Sequence, residues 1–125
     1  MNHTFLGARF LYNPTTGTGE TEPVKITKIA TMDAMWGGSV NVETGTEDPD
    51  KGHVMITFEA QQPNGFFKGN VSSYDLTGAY MGYQMVQGII AQIGPPEKRK
   101  YMFFGIGYEY DSGRVFNFLT IQKPN

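Results

Sequence analysis

The stretch KYMFFGIGYEYDSGRVFNFLTIQ, Lys100–Gln122, decides the fold class. Met102, Phe104, Ile106, Tyr108 and Tyr110 recur at every second position, the side-chain period of a β-strand. Asp111-Ser112-Gly113 supplies a turn, with a glycine free to adopt positive φ. On the return, Val115, Asn117, Leu119 and Ile121 share one face, and Phe116 and Phe118 the other. Two aromatic and β-branched runs flanking a short turn predict an antiparallel hairpin.

The same pattern recurs upstream. Phe5 to Tyr12 is apolar and aromatic and stops at Asn13-Pro14. Thr15 to Pro23 reads as a polar loop, with alternating strands to follow at Val24–Met32 and Ser39–Thr44. His53–Ala60 sets Val54, Ile56 and Phe58 against Met55, Thr57 and Glu59. After the Pro63-Asn64-Gly65 turn signal, Phe66–Ser73 completes a second hairpin. Leu76–Tyr83 reads as a strand with Gly78, Tyr80 and Gly82 on one face. Met85, Val86, Ile89, Ile90 and Ile93 fit a helical stripe and a strand nearly equally. Gly88 costs a helix about 1 kcal/mol relative to Ala, which favours the strand, with a short helix near 85–93 as the alternative. Gly94-Pro95-Pro96 ends the segment. The expectation is a single all-β domain over 1–125, an antiparallel barrel or sandwich of about seven to nine strands.

Composition narrows the function classes. The net charge is −2, which gives no electrostatic case for nucleic acid or for an anionic lipid surface. The basic run Lys98-Arg99-Lys100 follows two prolines and reads as a solvated loop. No stretch approaches the roughly 20 apolar residues of a membrane helix, and the amino-terminal residues do not read as a signal peptide, so a cytoplasmic location is expected, with leaderless export open. The chain has no cysteine, so thiolate metal sites and disulfides are excluded.

Motifs that carry chemistry are weak. Asp48, Asp50 and Gly52 put oxygens on a turn, but the glycine stands where a calcium loop wants a fifth-position ligand. His3 and His53 lie too far apart in sequence to suggest a zinc pair. Ser39 follows two glycines without a nucleophile elbow. Glu43, Glu59, Asp75 and Glu109 lie in or beside strands, where a pair of carboxylates can converge inside a barrel. Catalytic residues, metal ligands and a cofactor are therefore not assigned.

Leu76-Thr77-Gly78-Ala79-Tyr80 resembles a strand phrase of avidin-type barrels. The likeness covers these five residues only. Those barrels bring several tryptophans to their ligand and this chain has one, so no binding residue is carried over.

The aromatic residues point instead to binding. Trp36 lies between alternating segments, beside Gly37-Gly38, a setting used to stack a sugar or another flat, half-apolar ligand. The leading expectation is a non-enzymatic binding module for a carbohydrate or small, partly apolar ligand. Trp36 would stack, and Tyr80, Tyr83, Asn70 and Asn117 would donate or accept hydrogen bonds. The alternatives are a structural or interaction protein working as a homo-oligomer or with a partner, through strand edges and the aromatics Tyr108 and Phe116–Phe118, and a small barrel enzyme with a strand carboxylate as acid or base.

Overall fold

Each alternating run becomes one strand of a meander. The computed structural model describes residues 2–32, 35–44, 53–61, 64–74 and 77–123. They form β1 (Asn2–Asn13), β2 (Thr18–Met32), β3 (Met35–Thr44), β4 (His53–Gln61), β5 (Gly65–Tyr74), β6 (Tyr80–Ile93), β7 (Lys100–Glu109) and β8 (Val115–Gln122). Every strand pairs antiparallel with its neighbour in sequence, and β8 returns to β1, with Ala8 opposite Leu119. The result is a closed, up-and-down barrel of eight strands. A 3₁₀ turn, Pro96–Lys98, joins β6 to β7.

The barrel, rather than the sandwich, is the architecture. Residues 85–93 are strand, not helix, and belong to the long β6. Three boundaries differ from the sequence reading. Thr18–Pro23 is not loop: its backbone pairs with Ala8–Asn13, extending the β1–β2 hairpin to a turn at Pro14–Gly17. Trp36 is not loop-borne but lies in β3, opposite Thr31 and Ala60. Thr77–Ala79 lies in the β5–β6 connection, and β6 begins only at Tyr80.

Alternation sorts side chains between lumen and outer face. Phe5, Leu11, Val24, Ile26, Trp36, Phe67, Val86, Ile90 and Phe103 turn inward and are buried. In β2 the phase shifts at a bulge, where Lys28 adopts φ 67°, so that Ile29 follows Ile26 into the core. The lumen of an eight-stranded barrel is just wide enough for side chains to fill. Here aromatic edges do so: Phe103 meets Phe5 at 6.0 Å, Phe67 at 6.1 Å and Phe118 at 5.2 Å between ring centroids. Each fully buried side chain of this kind stabilises the fold by roughly 1.5–3 kcal/mol. Gly88 makes room for them, since a Cβ there would lie 3.2 Å from both Phe67 and Phe103. The one buried polar side chain among the described residues, Thr120, donates its hydroxyl to the Phe103 carbonyl at 2.8 Å.

Candidate functional site

An apolar lumen is expected of a small barrel; an apolar exterior is not. Around β1, β8, β7, β6 and β5 the register lines outward residues into rows. One row runs Ala8, Leu119, Phe104, Ile89, Phe66. The next runs Phe10, Asn117, Ile106, Gln87, Lys68, and the one beyond it Tyr12, Val115, Tyr108, Met85, Asn70. On the other flank, Leu6, Ile121, Met102 and Ala91 form a fourth row. Ile106 (57%), Phe66 (56%) and Leu119 (53%) are more than half exposed, and Leu6, Phe10, Tyr12, Met85, Val115 and Ile121 are also exposed. Two shallow grooves cross this wall. One, ≈ 670 Å³, is lined by Phe10, Phe66, Ile89, Phe104, Ile106 and Leu119; the other, ≈ 540 Å³, by Tyr12, Met85, Ile106, Tyr108 and Val115. The outer face of β2 is different in kind: Thr21, Pro23, Lys25 and Lys28 are exposed there.

At the end of the barrel that carries the β5–β6 and β7–β8 connections, the wall runs into a rim of tyrosines. Tyr83 stacks on Tyr110 at 5.6 Å and 30°, Tyr108 meets Tyr110 edge-on at 5.3 Å, and Tyr74 meets Tyr80 edge-on at 6.1 Å. The Tyr110 hydroxyl donates to Asn70 Oδ1 at 3.1 Å. Desolvation among its neighbours raises the Tyr80 phenol above the usual tyrosine range, and the Asp111 carboxylate, Tyr74 and Tyr83 add to it.

The five residues nominated as a ligand site do not meet at one place. Trp36 is 1% exposed and packs inside the barrel against Tyr101 (4.6 Å), His3 (5.3 Å) and Phe5 (6.3 Å). It presents no face to solvent, and its Nε1–H has no hydrogen-bond partner among the described residues. Tyr80, Tyr83 and Asn70 gather at the tyrosine rim, and Asn117 stands in the middle of the outer wall, bordering both grooves. The aromatic trio named for a contact surface divides likewise, Tyr108 outward and Phe116 and Phe118 toward the core cluster.

Candidate acids are engaged or out of view. Glu109 accepts from Arg114 Nε at 2.7 Å and from the Ser112 hydroxyl at 2.8 Å. Glu22 pairs with Arg9 at 2.8 Å. The side chains of Glu43 and Glu59, that of His53, Asp75, and the Asp48–Gly52 turn lie outside the described residues. Among the described residues, no group of three His, Cys, Asp or Glu is placed to hold a metal ion. No described helix is long and apolar enough to cross a membrane.

Comparison with known proteins matches the chain to no family model, no curated protein and no solved structure. Its function is therefore argued from its own surface. The outer wall is the feature that the sequence reading missed. Its signal was there in Met85, Ile89, Phe104, Ile106, Leu119 and Ile121, one apolar face of three successive strands, but alternation alone does not say which face looks inward.

Proposed function

We propose that this chain is an interaction protein that works by burying the outer wall of β1 and β5–β8 against the same wall of a second copy. The observation that carries this reading is the apolar row Ala8, Leu119, Phe104, Ile89 and Phe66, continuous over five neighbouring strands and flanked by rows with further exposed apolar side chains. Contiguous apolar surface on that scale marks an interaction site. At side-chain areas of roughly 150–250 Å² for the larger residues, the exposed fractions of the wall leave on the order of 900 Å² of apolar surface in water. A stable interface of standard size takes about 800 Å² from each partner, so one wall suffices for one side of a pair. An isologous contact presents the same patch from both copies and needs no second surface. Asn117 and Gln87, set among the apolar residues, provide hydrogen-bonding groups that fix the register of the pair. A net charge of only −2 does little to oppose association.

Two features favour a protein partner over lipid for the same wall. The core cluster of the described lumen is apolar, with the Arg9–Glu22 ion pair beyond it toward one end, whereas a membrane barrel carries a largely polar interior. The outer face of β2 is polar and breaks the girdle. The expectation of a ligand stacked on Trp36 gains no support from a ring buried at 1% exposure.

Sedimentation equilibrium tests the reading. At about 500 mM salt, which screens contacts between exposed charges, the expected weight-average mass rises with concentration from 13.9 kDa toward twice that value. A protein that stays at the monomer mass up to ~100 µM, well above the micromolar affinity at the weak end for interfaces of this size, would refute it.

A further inference from the structure

The tyrosine rim is chemically distinct from the wall. Tyr80 is 58% exposed, and Tyr74, Tyr83 and Tyr110 are exposed beside it. Aromatic faces carry negative charge density and attract cations. Asp111 is exposed and lies over Gly82, with Oδ2 3.0 Å from where a Cβ would stand. Among the described residues Asp111 forms no ion pair, while Arg114 at the same end is taken by Glu109 at 2.7 Å and Glu20 at 3.6 Å. Among the described residues at this end, Glu20, Glu109 and Asp111 outnumber Arg114. The opposite end reverses the sign: Lys98, Arg99, Lys100 and Lys123 are all exposed there, against Glu97. None of these four forms an ion pair among the described residues; Arg99 donates only to Gln92 Oε1, at 2.6 Å. Pro95-Pro96 and the 3₁₀ turn hold the basic residues on a short, stiff connection.

We propose that the rim of Tyr74, Tyr80, Tyr83 and Tyr110 with Asp111 is a docking site for basic side chains, and that its occupant is the Lys98–Lys100 segment of another copy. Charge complementarity between the two ends of one chain carries the choice of occupant: each molecule presents both halves of the contact. Ring faces and a carboxylate receive the cations; the prolines deliver them. Such a head-to-tail contact is heterologous and does not close on itself when the two sites lie at opposite ends, so it builds open chains of barrels. It is independent of the side-by-side contact of the walls, and it weakens with salt, because both partners are solvent-exposed.

The test is made with Ile106→Glu protein, which has lost the centre of the wall, so that failure of one contact is not mistaken for failure of the other. Two further variants are built on it: Tyr80→Ala with Asp111→Lys at the rim, and Lys98→Glu with Lys100→Glu at the basic end. All four positions are exposed, and circular dichroism checks that the fold is kept. Sedimentation velocity at about 20 mM salt is expected to show a concentration-dependent series of species for the Ile106→Glu protein, lost at about 500 mM salt. Each end variant alone is expected to stay monomeric. Their equimolar mixture is expected to stop at a one-to-one pair, because one acidic rim and one unmodified basic end remain. A monomeric Ile106→Glu protein at low salt, assembly untouched by either end variant, or a mixture that does not pair would overturn the proposal. So would a rim that binds an arginine amide while no barrel assembly forms.

Discussion

Replacing Ile106 by glutamate isolates the contribution of the outer wall. The side chain borders both grooves, is 57% exposed, and stands between Gln87 and Asn117 across the two neighbouring strands. About 100 Å² of its surface is in water in the free chain and leaves water in the pair. At about 25 cal/mol per Å², that is about 2.5 kcal/mol per copy. An isologous pair contains the position twice, so the loss approaches about 5 kcal/mol, or between three and four orders of magnitude in the dissociation constant. Two facing carboxylates in a dewetted contact push in the same direction. The isolated barrel should notice little, since an outward position with polar neighbours changes strand stability by about 1 kcal/mol or less. Sedimentation equilibrium at about 500 mM salt, where contacts between exposed charges are screened, reads the first effect, and a urea melt of dilute protein reads the second. Lys25→Glu on the polar outer face of β2 is the control. Unchanged dimerisation in the Ile106→Glu protein would refute the assignment of this wall, and a collapse of the monomer would mean that Ile106 supports the fold rather than a contact.

Other predictions concern the barrel itself. Phe103→Ala removes a ring that is 3% exposed and touches Phe5, Phe67 and Phe118 edge-on, so the urea midpoint should fall by the equivalent of about 3–5 kcal/mol; a loss below about 1 kcal/mol would show that the lumen is not packed as described. Gly105→Ala places a methyl group against the Gln87 carbonyl of the neighbouring strand, and amide exchange should speed up across β6 and β7, whereas unchanged protection would contradict the close approach. His3 accepts from Gln122 Nε2 on Nδ1 at 2.7 Å and approaches Thr31 Oγ1 with Nε2 at 3.2 Å, an arrangement that suits the neutral ring. Desolvation, followed by the amino-terminal charge, holds its pKa below the usual histidine value. The unfolded chain therefore takes up the proton first: stability should be full above about pH 6.5 and fall as the pH drops toward the lower folded-state value. His3→Gln should flatten that decline, and a profile that is the same in both proteins would exclude His3 as its source.

The legible and illegible parts of this fold have one physical cause. β7 and β8 announce themselves because Gly105, Gly107 and Thr120 interrupt one face and leave the other as a clean period of two. β6 does not, because Val86 and Ile90 fill the lumen while Met85 and Ile89 join the outer wall. A strand that is apolar on both faces loses its alternation and reads as readily as a buried helix. In β2 the bulge at Lys28 changes which parity faces inward, and in β3 Trp36 stands before the alternation that marks the strand, so it reads as loop. The same ambiguity governs the site. Trp36 and Tyr80 are both aromatic residues next to glycine-containing segments, yet one closes the core and the other stands on the rim. Packing across the barrel decides between them: Trp36 meets His3, Phe5 and Tyr101, all more than thirty positions away in sequence.

The central claim, that copies meet on the outer wall and nowhere on β2, is tested most directly by methyl spectra of isotopically labelled protein over a dilution series, with a soluble paramagnetic agent present. On concentrating the sample, the methyl groups of Leu6, Ile106, Leu119 and Ile121 should shift and become protected from the agent, while those of the lumen residues Ile26, Ile29 and Ile90 stay as they are and Thr21 on β2 stays accessible. Wall methyl groups that remain fully accessible at every concentration, or protection that appears on β2 instead, would contradict the account.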